Sequence, residues 1–591
     1  MTPRETPMAN VPGNVAADAR LERIEAALAS LEQRVRALES GAPAAPAPAQ
    51  EGLIAEPGVV GDSVTPGPER LDVATGLSLV GRTFVVFGGA YLLRALTDSG
   101  RLPRGAGIAL GVAYALAWLV VADRAAARGR RVSAAFHATT AVLIGLPLLW
   151  EASTRFALLL PKAAAGAVTA FVGLALFVSW RRGLQSLAAA ATLGALGVTV
   201  GLVGSTGQVA PFAVFAILVG IATLWLGYDR DWFWLRWPAA IVANIIVLGL
   251  VSRAVAPEHR ESWHAGIAVP LFLFVAYLAS FAARTLVRGR LVIPFEIAQT
   301  VAALGIGLGG AVAVAHLRGG GAAALGAAAI LLGVGCYAVA FAFVERRHGL
   351  GANFFFYSTL ALVLTLVGTG ILLPAAAFSM VSAALAVLTT WLAVRRSRLA
   401  LAGHAAVYVC VAALVSGLLP WAATAFGRTL VGAPLALAGW VALAGSVVCL
   451  AMPRPTQPGV PATFASVPRL VIALVVVAGA GAVIVAALAR VTAGMPADPG
   501  IVATDRTAVM ALAALALAWA TRYERFRELG WLLYPVLLVG AVKLLVEDFP
   551  RSKPATLFLA LALYGLALIA APRLARRPSV TAPVDRSPAT R

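Results

Sequence analysis

The chain has 591 residues, of which 60% are hydrophobic and only 13% are charged, and its mean hydropathy is +0.86. Soluble domains are about 45–50% apolar and about 25% charged, so this composition excludes a large water-soluble helical protein. The net charge of +20 would suit a nucleic-acid partner. The basic residues lie in short clusters between apolar runs and not along one face, however, so we expect no nucleic acid and a lipid bilayer instead.

The N-terminal part of the sequence is polar. Residues 1–16 are predicted to be disordered, and residues 17–40 are predicted to form a coiled-coil helix. Apolar residues in that helix follow the alternating spacing of three and four that defines a coiled-coil seam: Leu21, Ile24, Leu28, Leu31, Val35 and Leu38. Residues 41–70 are rich in Pro, Ala and Gly, which predicts a semi-extended linker.

Charges beside the seam favour a parallel pair of helices. Arg20 would face Glu25 of the second helix, and Arg34 would face Glu39. A homo-oligomer through the seam is one interpretation. Another coiled-coil protein could cover the same seam, and so could the remainder of this chain.

Residues 71–572 are predicted to be a multi-pass transmembrane domain, which makes the fold class an all-α polytopic integral membrane helix bundle. About eighteen apolar runs approach the roughly 20 residues that a helix needs to cross the hydrocarbon. The thirteenth run is predicted at Leu399–Leu418, the fourteenth at Gly432–Met452 and the sixteenth at Thr507–Thr521. Alanine and glycine are frequent in these runs, and such small residues let helices approach closely in lipid.

Arginine placement predicts the orientation of the bundle. With a cytoplasmic N-terminus, each of the eight inside loops contains at least two basic residues, whereas two outside loops contain none. Cytoplasmic loops carry this excess in membrane proteins. Residues 573–591 are then a basic, disordered cytoplasmic tail, so both termini are predicted to be cytoplasmic.

Short motifs at the two ends of the domain resemble those of a known family. They are Gly81-Arg82, Ala95 to Gly100, Gly105 to Gly111, and the lysine–hydrophobic–acidic stretch Lys543 to Asp548. Together with the heptad arm, the linker and the many spans, they resemble a family of bacterial multi-pass membrane proteins known only as a domain of unknown function. The resemblance implies residence in the bacterial cytoplasmic (inner) membrane and implies no particular reaction.

Lys543 is the most informative polar residue inside an apolar run. It is one of only three lysines, although the chain has 47 lysine and arginine residues. Lysine can release its proton in an apolar site and arginine cannot. Glu547 lies one turn later, and Asp548 follows it. The group predicts either a site for a substrate or proton, or an internal ion pair whose lysine extends towards the interface.

Four further residues are candidates for a substrate site or an ion pathway. Glu296 and Gln299 begin the ninth run after Pro294, where a carboxylate would either cap the helix or bind an ion or proton. Arg94 lies near the end of the first run, and Asp98 lies just outside that run, in the first outer loop. An acidic residue in the first outer loop is typical of glycosyltransferases that act on lipid-linked sugars.

A weak metal candidate lies in a loop that contains His259, Glu261 and His264, which are ligand types that zinc accepts. The loop is also explained as solvated, with Trp263 at the membrane interface. No cofactor, established metal site or catalytic residue is predicted.

Three functions remain open from the sequence. A transporter or flippase-like carrier agrees best with many spans, short loops and intramembrane polar residues. A scaffold would recruit partners through the coiled coil. A lipid-linked-sugar glycosyltransferase would use Asp98. Whether the protein is an enzyme is left uncertain, and we lean towards no.

Overall fold

The structure, a computed structural model, describes residues 29, 73–256, 262–318, 320–345, 351–427, 434–455, 461–492 and 498–575. The predicted N-terminal segment, the linker, the six seam residues and the tail after Ala575 lie outside these residues. The coiled coil and its partner therefore stay predictions.

The described part of the chain folds into nineteen helices and contains no strand. The predicted all-α polytopic bundle is thereby confirmed. In chain order the helices are α1 (Val73–Asp98), α2 (Arg104–Ala127), α3 (Arg131–Thr154), α4 (Pro161–Arg182), α5 (Gln185–Thr206), α6 (Ala210–Arg230), α7 (Arg236–Val255), α8 (Trp263–Val287), α9 (Pro294–Leu317), α10 (Ala322–Val344), α11 (Ala352–Leu372), α12 (Ala375–Arg396), α13 (Leu399–Val415), α14 (Leu418–Phe426), α15 (Leu437–Ala451), α16 (Ala462–Thr492), α17 (Pro499–Ala520), α18 (Glu524–Arg551) and α19 (Pro554–Ala575).

Fifteen helices in the described ranges are long and apolar enough to cross a membrane, and α13 with α14 would make a sixteenth. The two other predicted runs coincide with α1, which has 26 residues, and with α15, which has only 15. Every predicted run therefore coincides with a helix. The chain is a multi-pass membrane protein.

The thirteenth predicted span is broken. Its two parts, α13 and α14, are bent by 67° relative to each other. Gly417 joins them with a φ of +79°, in the left-handed region that glycine adopts without a steric cost. Ser416 supports the turn, because its hydroxyl accepts a hydrogen bond from the backbone N–H of Leu418 at 3.3 Å. The predicted run Leu399–Leu418 therefore coincides with α13 except at its end, where the helix stops at Val415 and Leu418 already begins α14.

The start of α17 differs from the predicted start at Thr507. The helix begins eight residues earlier, at Pro499, because Asp498 caps it: Oδ1 of Asp498 accepts a hydrogen bond from the N–H of Gly500 at 2.9 Å. Lys553 donates to the other carboxylate oxygen at 2.7 Å. The hydrogen bonds from Lys553 and Gly500 hold the pKa of Asp498 below its usual value.

Close helix contacts depend on small residues, as expected for helices in lipid. Gly368 of α11 is the clearest example. A Cβ atom at Gly368 would lie 2.6 Å from the carbonyl oxygen of Gly326 and 2.9 Å from the amide nitrogen of Ile330, both on α10. The two helices can therefore pack at this distance only while position 368 has no side chain.

We expect Gly368→Ala to lower the free energy of unfolding by about 1–3 kcal/mol, because the added methyl group must push backbone apart. Thermal unfolding in detergent measures the change. Gly335→Ala on α10 is the matched control, since a Cβ there has no neighbour within 4 Å. Equal melting temperatures for the two variants would contradict this account of the α10–α11 packing.

Candidate functional site

Lys543 lies inside α18, eight residues before the end of the helix, which corresponds to about 12 Å along the helix axis. Directly after it the helix widens into a π-helical turn over Leu544–Asp548. In this turn Nζ of Lys543 donates to Oδ2 of Asp548 at 2.6 Å and lies 3.7 Å from Oε2 of Glu547. Both acidic side chains thus face one lysine. Such π-helical turns occur frequently at functional sites.

The neighbouring helix α17 completes the coordination of the lysine. Nζ of Lys543 also donates to the hydroxyl of Thr507 at 2.7 Å and to the backbone carbonyl of Ala503. The Thr507 hydroxyl in turn donates to Oδ2 of Asp548 at 3.0 Å. The ammonium therefore has three oxygen partners, and it links the two helices.

Arg506 connects this group to the broken helix. One terminal nitrogen of its guanidinium binds Oε1 of Glu547, and Nε donates to the carbonyl oxygen of Ala425 at 2.7 Å. Ala425 lies in the last turn of α14, where backbone carbonyls carry partial negative charge. Arg551 approaches Glu547 from the end of α18 at 3.5 Å.

We define the α17–α18 cluster as Arg506, Thr507, Lys543, Glu547 and Asp548. Its four charged side chains are almost fully buried, with exposed fractions of 3% for Arg506, 10% for Lys543, 8% for Glu547 and 0% for Asp548. Two positive and two negative charges balance. Unpaired charges would be costly in such surroundings, so the pairing is what makes their burial possible.

One atom of the cluster lacks a partner. Oδ1 of Asp548 is buried and accepts no hydrogen bond from any residue that the structure describes. Buried carboxylate oxygens normally accept at least one hydrogen bond. This oxygen can therefore accept a hydrogen bond from a water molecule or from a polar group of a substrate, or it can take up a proton.

The predicted residue Glu296 forms a separate group at the start of α9. Its carboxylate accepts hydrogen bonds from Arg284 at 3.0 and 3.1 Å, from the hydroxyl of Tyr228 at 2.6 Å, and from the N–H of Ile293 at 2.9 Å. The bond to Ile293 is the predicted helix cap. Arg284 forms a buried ion pair with Glu296, and Tyr228 adds a hydrogen bond to it. The sequence did not indicate either partner.

Gln299 has a partner on another helix. It exchanges two side-chain hydrogen bonds with Asn244 of α7, at 2.9 and 3.1 Å. Reciprocal amide pairs join helices in membranes. Glu296 and Gln299 are therefore each held by protein partners, and neither reaches the α17–α18 cluster.

Arg94 and Asp98 lie at the end of α1, in a network with α3. Arg94 binds Glu151 at 2.9 Å and approaches Asp98 at 3.9 Å, while Arg155 binds Asp98 at 3.5 Å. Arg94 and Glu151 line a cavity of about 180 Å³. Asp98 is thus bound between two arginines, and its side chain is 36% exposed.

Of the three weak metal candidates, only His264 lies within the described chain. His264 stacks on Trp263 with ring centroids 3.7 Å apart, in agreement with an interfacial position for both rings. His259 and Glu261 lie outside the described residues. No group of three or more potential metal ligands occurs among the residues that the structure describes.

No family model, no curated protein and no solved structure matches the chain. The resemblance to bacterial membrane proteins of unknown function stays a prediction. The geometry of the α17–α18 cluster is therefore the basis for assigning a function.

We expect Lys543→Met to lower the free energy of unfolding by about 3–5 kcal/mol, because it leaves a buried carboxylate without its cation. The double variant Lys543→Met/Asp548→Asn should recover most of this loss, since both charges are removed. Chemical or thermal unfolding in detergent measures both.

Lys162→Met is the control, because Lys162 is exposed at the start of α4. Its expected effect is within about 0.5 kcal/mol. A double variant that is no more stable than Lys543→Met would show that charge pairing does not hold this cluster together.

Proposed function

We propose that the protein is a transporter or flippase-like carrier of the bacterial cytoplasmic membrane, and that the α17–α18 cluster is the site at which it handles a proton or a polar group of its substrate. One observation carries the proposal. A balanced set of buried charges, on two helices that are long and apolar enough to cross a membrane, contacts the carbonyl end of α14, the second part of a broken apolar helix.

The broken helix supports this function because carriers use such helices at their binding sites. Half-helix ends expose backbone dipoles within the membrane, where they bind ions and substrates. Here the carbonyl of Ala425 at the end of α14 accepts from Arg506, which in turn binds Glu547. A rearrangement of α14 would therefore act directly on the charge balance of the cluster.

Lys543 and Asp548 are the residues suited to a change of state. Lysine can give up its proton, and Asp548 has one carboxylate oxygen without a described partner. A proton that moves from Lys543 to Asp548 would neutralise both groups without changing the net charge of the cluster. An anionic substrate group could instead bind Lys543 and release Asp548. Either event would loosen the contact between α17 and α18.

No specific observation favours the two alternatives. The scaffold function depends on a coiled coil that lies outside the described residues. The glycosyltransferase function depends on Asp98, which two arginines already bind. The cytoplasmic position of both termini belongs to the proposal and is supported by the arginine distribution alone.

Alternating access can be tested without knowledge of the substrate. We expect a cysteine at position 507, in a chain whose native cysteines are replaced by alanine, to react with a membrane-impermeant thiol reagent from both faces of the membrane. A carrier exposes its site to each side in turn, whereas a static ion-pair cluster does not. Right-side-out and inverted vesicles give the two labelling rates.

Thr199→Cys is the matched control, because Thr199 is also a fully buried threonine in a membrane helix, away from the cluster. The Thr507→Cys variant should react several times faster than this control from each side. Labelling at the control rate, or from one face only, would refute the carrier.

A further inference from the structure

A large cleft separates two helical hairpins in the middle of the chain. The α10–α11 pair and the α12–α13 pair are each closely packed, but a cavity of about 630 Å³ lies between them. Binding sites for small molecules commonly have volumes of about 300–1,000 Å³. This cleft is therefore large enough for a ligand, and it lies on different helices from the α17–α18 cluster.

Arginine residues define one end of the cleft. Arg396 ends α12 and is exposed, and it forms no ion pair with any residue that the structure describes. Arg398, the next arginine that lines the cleft, forms an ion pair with Glu345 of the segment that follows α10. The cleft mouth therefore presents one cation that is not neutralised by the described protein.

The wall between the mouth and the deep end is mainly apolar. It is formed by Phe341, Leu388, Leu392 and Leu401. Leu388 is 47% exposed, and Val334 near the deep end is 58% exposed, so the cleft is open along its side. In a membrane protein this side faces hydrocarbon.

The depth of the cleft matches one leaflet of a bilayer. Its lining on α12 extends from Leu385 to Arg396, which lie eleven positions apart, or about 16 Å along a helix. The hydrocarbon core is about 30 Å thick, so the cleft reaches roughly to its middle. At the deep end the hydroxyl of Tyr337 lies 3.2 Å from Nδ1 of His404 and is thereby already engaged.

We propose that the cleft binds one anionic phospholipid, with the phosphate on Arg396 and an acyl chain along the apolar wall. A cation at the level of the headgroups, an apolar wall and a depth of one leaflet are the three features that such a lipid requires. A free anion would use only the first of them. The cleft mouth lies in the leaflet predicted to be cytoplasmic, where anionic lipids attract basic residues.

Lipid retention tests this proposal directly. The protein is exchanged in detergent against an equal mixture of phosphatidylglycerol and phosphatidylcholine, and retained lipid is quantified by mass spectrometry. We expect preferential retention of one phosphatidylglycerol. Arg396→Gln should weaken this retention at least about tenfold, as expected for loss of a charge-assisted hydrogen bond.

Arg395→Gln is the matched control for surface charge. Arg395 is also exposed, but it packs over the Trp391 ring at 5.1 Å and does not line the cleft. Its loss should weaken retention no more than about fivefold, the effect of one basic residue near an anionic surface. Equal effects of the two variants would overturn the proposal, because they would indicate a general attraction of basic residues to anionic lipid.

Filling the cleft gives an independent test. Leu388→Trp should abolish the preference for phosphatidylglycerol, while Leu414→Trp should not, because Leu414 is 56% exposed on α13 outside the cleft. Melting temperatures establish that both variants are folded. Retention that survives Leu388→Trp, or that inorganic phosphate abolishes in the unmodified protein, would likewise overturn the proposal.

Discussion

Polar groups in a bilayer must find their partners within the protein, because hydrocarbon offers none, and this constraint governs the whole molecule. It restricts the spanning backbone to helices. It also explains why buried threonines such as Thr199 and Thr285 donate to the carbonyl four residues earlier, at 2.6 and 2.7 Å. The same constraint applies most strongly to charges. Among the described residues, buried Glu528 is paired with Arg469, and the acidic groups of the two candidate sites, at Glu296 and at the α17–α18 cluster, are likewise matched by cations.

The two groups satisfy this constraint to different degrees. The Glu296 carboxylate accepts from side chains of two helices, Tyr228 of α6 and Arg284 of α8, and from a backbone N–H, as expected for a rigid structural contact. In the cluster, by contrast, Asp548 keeps one buried oxygen without a described partner, and Arg506 binds the end of a short helix that is bent away from α13. The cluster therefore has balanced charges but one unmet hydrogen bond, and it lies beside a broken helix. Such a site is better suited to a conformational change than to a rigid structural role.

The hydrophobic pattern was sufficient to predict the fold, since about 20 consecutive apolar residues have few alternatives to a membrane helix. The pattern also placed Lys543, Glu547 and Asp548 together. It did not show Arg506, because the predicted start of that span at Thr507 left the arginine in a loop; the Asp498 cap followed by Pro499 was the local signal for the earlier start. Asn244 and Arg284 were not predicted as partners because pairing between two different helices leaves no trace in the spacing of one sequence. The break at Gly417 was not predicted either, because it depends on the backbone conformation of one residue.

Infrared spectroscopy tests most directly whether charges are matched inside the membrane. The spectrum is recorded from the protein in hydrated lipid, with carbon-13 in its aspartate side chains. The informative quantity is the difference between the unmodified protein and Asp548→Asn. Because Asp548 accepts from the ammonium of Lys543 and the hydroxyl of Thr507, we expect the aspartate bands that the variant loses to be those of an ionised carboxylate. A difference in the band of a protonated carboxylic acid would contradict the ion pair on which the proposed site depends.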